Sequence, residues 1–157
     1  MSSISVKHDN NQFLTLASTI VLFLLHIYMK IIVDDTSSIY AIQEAFHQIF
    51  PYLKLEFYRK NSQNQHNQGK LSVDSDKAFA HFRAMQNAEN IVIDSEMTVS
   101  ELEKKFYTIY GLFTQVMRKS GNIWLGTTIT DNWSLEEQNK QGEMLTSQIT
   151  GTSNFKS

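Results

Sequence analysis

Three aspartates stand where this chain could do chemistry. Asp34 and Asp35 close the apolar run Ile31 to Val33, and Asp94 closes Ile91 to Ile93. Carboxylates gathered at strand ends suit a hard divalent cation such as Mg²⁺, which takes oxygen ligands. A plainer use competes: an acid between a strand and a helix puts negative charge where the helix N-terminus favours it. The five histidines, His8, His26, His47, His66 and His81, lack ligand spacing such as two on one helical face. The absence of cysteine excludes disulfides, thiolate metal sites and cysteine nucleophiles. No Gly-rich phosphate loop, nucleophile elbow or zinc-protease signature occurs, and the six glycines do not cluster. The expectation is therefore no cofactor, with Mg²⁺ at Asp34, Asp35 and Asp94 as the alternative.

That alternative resembles the response-regulator receivers, in which an acidic pair binds Mg²⁺ beside an aspartate that accepts phosphate. The resemblance covers the two strands that end in Asp34-Asp35 and Asp94. It implies a phosphoacceptor or cation-dependent ligand-binding domain. The chain departs from the pattern downstream: it has no Lys-Pro pair, its one proline being Pro51, and its last third reads as a hairpin.

A second group of residues points to recognition. Trp124 alternates with Ile123 and Leu125, so if those two face a core, Trp124 faces outward and needs a helix, partner or ligand to cover it. One expectation is that the final helix folds back and Leu135 or Trp133 covers it. The other is an interaction surface carried by Trp124, Asp131, Trp133 and Gln138, since tryptophans flanked by polar side chains are common anchors. The segment Val116 to Gly142, with Arg118-Lys119-Ser120-Gly121-Asn122, Trp124-Leu125 and Thr130-Asp131-Asn132-Trp133, resembles the C-terminal signature of a group of small bacterial proteins of uncharacterised function. That resemblance implies no activity.

The elements that must position these residues follow from local pattern. Lys30 to Asp34 reads as a strand, and Ile39, Ile42, Phe46, Ile49 and Phe50 recur at helical spacing after the caps Thr36, Ser37 and Ser38, up to Pro51. Leu53, Leu55 and Phe57 alternate with Lys54, Glu56 and Tyr58. A right-handed β-α-β unit is expected if the two strands are parallel in one sheet. Residues 61–69 form a polar loop, a short helix carries Phe79, Phe82 and Met85, and Asn90 to Asp94 is a strand. Thr98-Val99-Ser100-Glu101 is a capping box that opens a helix ended by Gly111. A hairpin turns at Ser120-Gly121, and Ser134 to Glu137 caps a final polar helix that runs to about Gly142. Strands and helices alternate in two similar halves, which predicts an α+β, two-layer α/β sandwich, ferredoxin-like with an added edge strand. The stretch from Ile91 to Leu125 also resembles the ubiquitin-like β-grasp.

At 157 residues a single domain is expected, assigned to residues 29–144, with a disordered tail over 145–157. Net charge is −2, from 14 basic and 16 acidic residues, and the basic residues are scattered. That balance favours a protein partner over nucleic acid. The chain changes character at Met29. The apolar run Phe13 to Tyr28 is slightly short for a membrane span of about 20 residues. Three readings of residues 1–28 stand: an extension before the true start at Met29, a single-pass anchor, or a helix packed on the domain. The first implies a cytoplasmic protein, the second a membrane-anchored one. The domain itself reads as non-enzymatic, acting through protein contacts.

Overall fold

Alternating burial and well-placed caps build the elements in chain order. In the computed structural model, residues 18–21, 29–60 and 70–153 are described, and the chain divides between Lys30 and Ile31 into two units. Of the first unit, residues 18–21 are helical. The rest of the apolar run up to Tyr28, the polar loop 61–69 and residues 154–157 lie outside the described residues. Among those described, no helix is long and apolar enough to cross a membrane.

The second unit runs β1 (Ile31–Val33), α1 (Ile39–Ile49), β2 (Leu53–Lys60), β3 (Lys70–Ser72), a 3-10 turn (Phe79–Phe82), β4 (Ile91–Ile93), α2 (Val99–Tyr110), β5 (Phe113–Ser120), β6 (Ile123–Gly126), a second 3-10 turn (Thr128–Thr130) and α3 (Leu135–Ser153). It is an α+β fold with two antiparallel sheets: a ribbon β1-β4 and a four-stranded sheet in the order β3-β2-β5-β6. The ferredoxin-like order would place β1 and β4 beside β2 and β5 in one sheet, and these sheets divide otherwise. Each of β1 and β4 is three residues long and buries only its outer two residues. They satisfy their edges on each other, Ile32 opposite Val92. Among the described residues every strand pair is antiparallel, so the right-handed crossover has nothing to act on.

The two halves repeat at a constant spacing of 60 residues: Ile31 and Ile91, Asp34 and Asp94, Phe46 and Phe106, Ile49 and Ile109. A pseudo-dyad relates them, passing between Ile32 and Val92 in the ribbon and near Glu56 and Gln115 in the larger sheet. A finer repeat lies inside each half. Four segments, Val33–Ile39, Val73–Phe79, Ile93–Val99 and Ile129–Leu135, each close a turn of the same form. The bonds are Ser37 N to Asp34 O, Lys77 N to Asp74 O, Met97 N to Asp94 O and Trp133 N to Thr130 O, at 3.1 to 3.4 Å. The segments clasp in pairs through bridges Ser38↔Ala78 and Thr98↔Ser134. In the first clasp Ile39 N donates to Lys77 O and Phe79 N to Ser37 O; in the second Val99 N donates to Trp133 O and Leu135 N to Met97 O.

Caps decide how far each helix then extends. Ser38 accepts from Ala41 N, Thr98 completes its box with Glu101, and Ser134 completes another with Glu137. Such a cap is worth about 1 kcal/mol. At the fourth position stands Ala78, which has no acceptor, and there only the 3-10 turn Phe79–Phe82 forms.

The core joins both halves. Leu53, Leu55, Phe57, Thr114 and Val116 line the inner face of the sheet, all buried. Above them Phe57, Phe79, Phe106 and Tyr110 pack ring against ring, with centroids 4.9 to 5.6 Å apart for the four closest pairs. Arg83 clamps Asp35 through Nε and Nη2 at 2.6 Å and stacks over Tyr110. Burial raises the Tyr110 hydroxyl above its ordinary pKa, with the Arg83 charge opposing.

The final helix continues past the expected stop at Gly142 to Ser153. Residues assigned to a disordered tail therefore include the last turns of α3. Packing holds them: Gly121 N donates to Thr146 Oγ1 at 3.3 Å, and Ile149 lies against Gly121.

Candidate interaction surface

The β5-β6 hairpin is made by Gly121, whose positive φ of 59° supplies the first position of a two-residue turn. Cross-strand pairing sets Arg118 opposite Leu125 and Lys119 opposite Trp124. Because Leu53 pairs with Arg118 on β2, Arg118, Ile123 and Leu125 share the helix-covered side of the sheet. Lys54, Glu56, Tyr58, Met117, Lys119 and Trp124 share the other.

Trp124 is half-buried on that second face. Lys54 Nζ lies 5.2 Å from its ring centre and the His47 ring meets it edge-on at 6.1 Å. Lys54 is itself paired to Glu56 at 2.6 Å, and the Tyr58 hydroxyl also donates to Glu56. Burial, with the Glu56 charge behind it, pushes the Tyr58 pKa up to about 12. Strand alternation sets this row as a neutralised cation-acid-phenol array whose cation meets the indole. Ile123 and Leu125 remain 59% and 40% exposed, because β6 reaches beyond the core, and Ile129 just after it is 97% exposed.

The sequence-derived surface is only partly gathered. The helix does fold back, but onto the opposite side of the sheet from Trp124. Leu135 is fully buried in the core, and Trp133 lies against the Arg118 guanidinium at 5.9 Å. Neither covers Trp124. The two tryptophans therefore occupy different faces of one hairpin. Trp133 instead shares a groove of about 300 Å³ with Glu137, Lys140, Gln141 and Met144 on α3.

Gln138 is a correction. It is wholly buried, its Nε2 donating to Thr130 O at 2.6 Å and its Oε1 accepting from Arg118 Nη1 at 2.7 Å. Residues three apart share a helix face, so its spacing from Leu135 already carried that signal. Asp131 is half-buried, with its carbonyl accepting from Ser100 N at 2.8 Å in the second clasp.

The aspartates also separate. Antiparallel pairing of Val33 with Ile91 and of Ile31 with Ile93 puts Asp34 and Asp94 at opposite ends of the ribbon. Four residue steps of strand, about 13 Å, separate them along the axis. Among the described residues no three His, Asp or Glu side chains are placed to hold one metal ion. Asp34 Oδ1 accepts from Thr36 N and Ser37 N, Asp94 Oδ1 from Glu96 N and Met97 N, and Asp35 is engaged by Arg83. Sequence reasoning missed Lys54, His47 and Lys119 as neighbours of Trp124, since register is not written in any one strand.

The fold and this surface define a small, internally duplicated α+β domain with an aromatic-cationic sheet edge. Comparison with protein-family models, curated proteins and solved structures gave no match.

Proposed function

We propose that this chain is a non-enzymatic domain acting through protein contacts, with the Trp124 side of the β5-β6 hairpin as its contact surface. The observation that supports this reading is the setting of Trp124. A large aromatic lies half-buried between lysines, on a strand whose other side chains, Ile123 and Leu125, stay well exposed. Aromatic residues at the centre of such patches carry most of the binding energy in protein interfaces. The carboxylates that could have served catalysis are hydrogen-bonded into turns or held by Arg83.

Site-specific photocrosslinking in the native cell tests the reading. A photoreactive residue at position 124 is expected to give a discrete protein adduct, whereas one at the exposed position Glu44 on α1 gives none. Absence of any adduct at position 124, or identical adducts at both positions, would sink it.

A further inference from the structure

We infer that the outer edge of β6 receives a strand from a partner, an extended segment that alternates apolar and acidic residues. This inference rests on the interaction reading above and names the partner's chemistry. The fold treats the unpaired stretches of β2 and β5 differently. On β2, Leu55 O accepts from Gln43 Nε2 at 2.9 Å, and His47 Nδ1 lies 2.8 Å from Leu53 O. On β5, Val116 N donates to Glu103 Oε1 at 3.2 Å and Val116 O accepts from Thr127 Oγ1 at 2.9 Å. Helix and loop side chains thus cap three carbonyls and one amide where β2 and β5 outrun their neighbours.

β6 has no such cap. Its hairpin closes on the pair Ser120 and Ile123, so Ile123 and Leu125 bond inward to β5, while Trp124 and Gly126 direct N–H and C=O outward. Among the described residues these outward groups have no hydrogen-bond partner. The strand also lacks the proline, lysine or bulge by which edges are usually blunted.

Side chains specify the occupant. A strand laid on β6 would set one row of its residues beside the exposed Ile123 and Leu125, which asks for apolar groups. Its other row would lie beside Trp124 on the face of Lys54 and Lys119. Lys54 is paired with Glu56, but Lys119, directly opposite Trp124, makes no ion pair among the described residues. Acidic residues on that row complete the charge. Strand addition of this kind draws affinity from main-chain bonds and specificity from alternate side chains.

The test uses the full chain carrying Trp133→Phe, so that Trp124 alone reports by fluorescence. The probes are an eight-residue peptide alternating valine and glutamate, the same peptide with lysine for glutamate, and the glutamate peptide N-methylated on alternate amides. Saturable binding of the valine-glutamate peptide is expected, weakened about tenfold or more in each altered peptide and in Gly126→Pro, which removes an outward N–H. If Gly126→Pro fails to fold, the N-methylated peptide carries the comparison alone. Equal titration by the N-methylated peptide, or none by the valine-glutamate peptide, overturns strand addition. A concentration-dependent dimer that the peptide does not dissociate assigns the edge to a second copy and overturns the acidic partner. A crosslink at position 124 without peptide binding leaves the interaction reading standing and removes only this mode.

Discussion

At Asp34 one carboxylate oxygen accepts from Thr36 N, Thr36 Oγ1, Ser37 N and Ser37 Oγ, all at 2.7 to 2.9 Å. Every one of these donors favours the charged form. The Thr36 hydroxyl foremost, then the Ser37 hydroxyl, holds the carboxyl below its ordinary value of 3.8. A depressed folded-state pKa means that the unfolded chain takes up the proton first as the pH falls. The turn's contribution is therefore complete above the ordinary value and is lost as the pH drops through the lower, folded one. Urea midpoints measured at about pH 5 and about pH 2.5 should fall further for the native chain than for Asp34→Asn, which has no charge to lose. Equal falls would mean that the turn binds the neutral acid as well as the anion. The sequence made the strand-ending aspartates legible as a choice between cation ligands and helix-entry acids. What it could not show was how completely local donors would occupy their oxygens, because that depends on the turn closing from Ser37 N to Asp34 O.

At the scale of elements, α3 separates what a residue type suggests from what its surroundings require. Glycine commonly ends a helix, and Gly142 read as such an end. It lies mid-helix instead, because the helix passes so close to β2 that a Cβ at Gly142 would sit 2.8 Å from Tyr52 Cβ, 3.1 Å from Tyr52 O and 3.1 Å from Arg118 Cγ. Asn139, one turn earlier, accepts from Tyr52 N at 2.9 Å and fixes that approach. In an exposed helix interior Gly→Ala stabilises by about 1 kcal/mol. Here a backbone oxygen is among the obstructing atoms and cannot swing away. Gly142→Ala should thus destabilise by about 1 to 3 kcal/mol despite its better propensity. Gly151 has nothing within 4 Å of its Cβ position, so Gly151→Ala should be neutral or stabilising by up to about 1 kcal/mol. Chemical denaturation of the two variants checks the pair, and a stabilised Gly142→Ala would refute the close approach. The capping boxes at Thr98 and Ser134 were readable because their partners lie three residues away in the chain. β3 was not, since Lys70–Ser72 contains a single apolar residue and its pairing to β2 is visible only in three dimensions.

For the whole molecule, alternation of strands and helices in two similar halves was legible, and so was the two-layer α+β arrangement. The pairing of the halves was not. Nothing in Ile31–Val33 marks Ile91–Ile93 as its partner, and the fourfold turn is disguised by Thr130 in place of aspartate and Ala78 in place of a cap. That pairing decides how the domain unfolds. Both sheets cross the pseudo-dyad, β1 to β4 and β2 to β5. The aromatic cluster takes Phe57 and Phe79 from one half, Phe106 and Tyr110 from the other. Neither half owns a core, so residues 31–153 should unfold in one transition. Equivalent residues give the test. Phe46 and Phe106 are both fully buried, and truncating either to alanine should cost about 3 to 5 kcal/mol. Both tryptophans belong to the second half. Phe46→Ala, made in the first half, should therefore shift the tryptophan-monitored transition as far as it shifts the far-UV circular dichroism, and about as far as Phe106→Ala does. If Phe46→Ala left the tryptophan transition in place while the circular dichroism split into two steps, the halves would be independent units and the shared core would not be what holds them together.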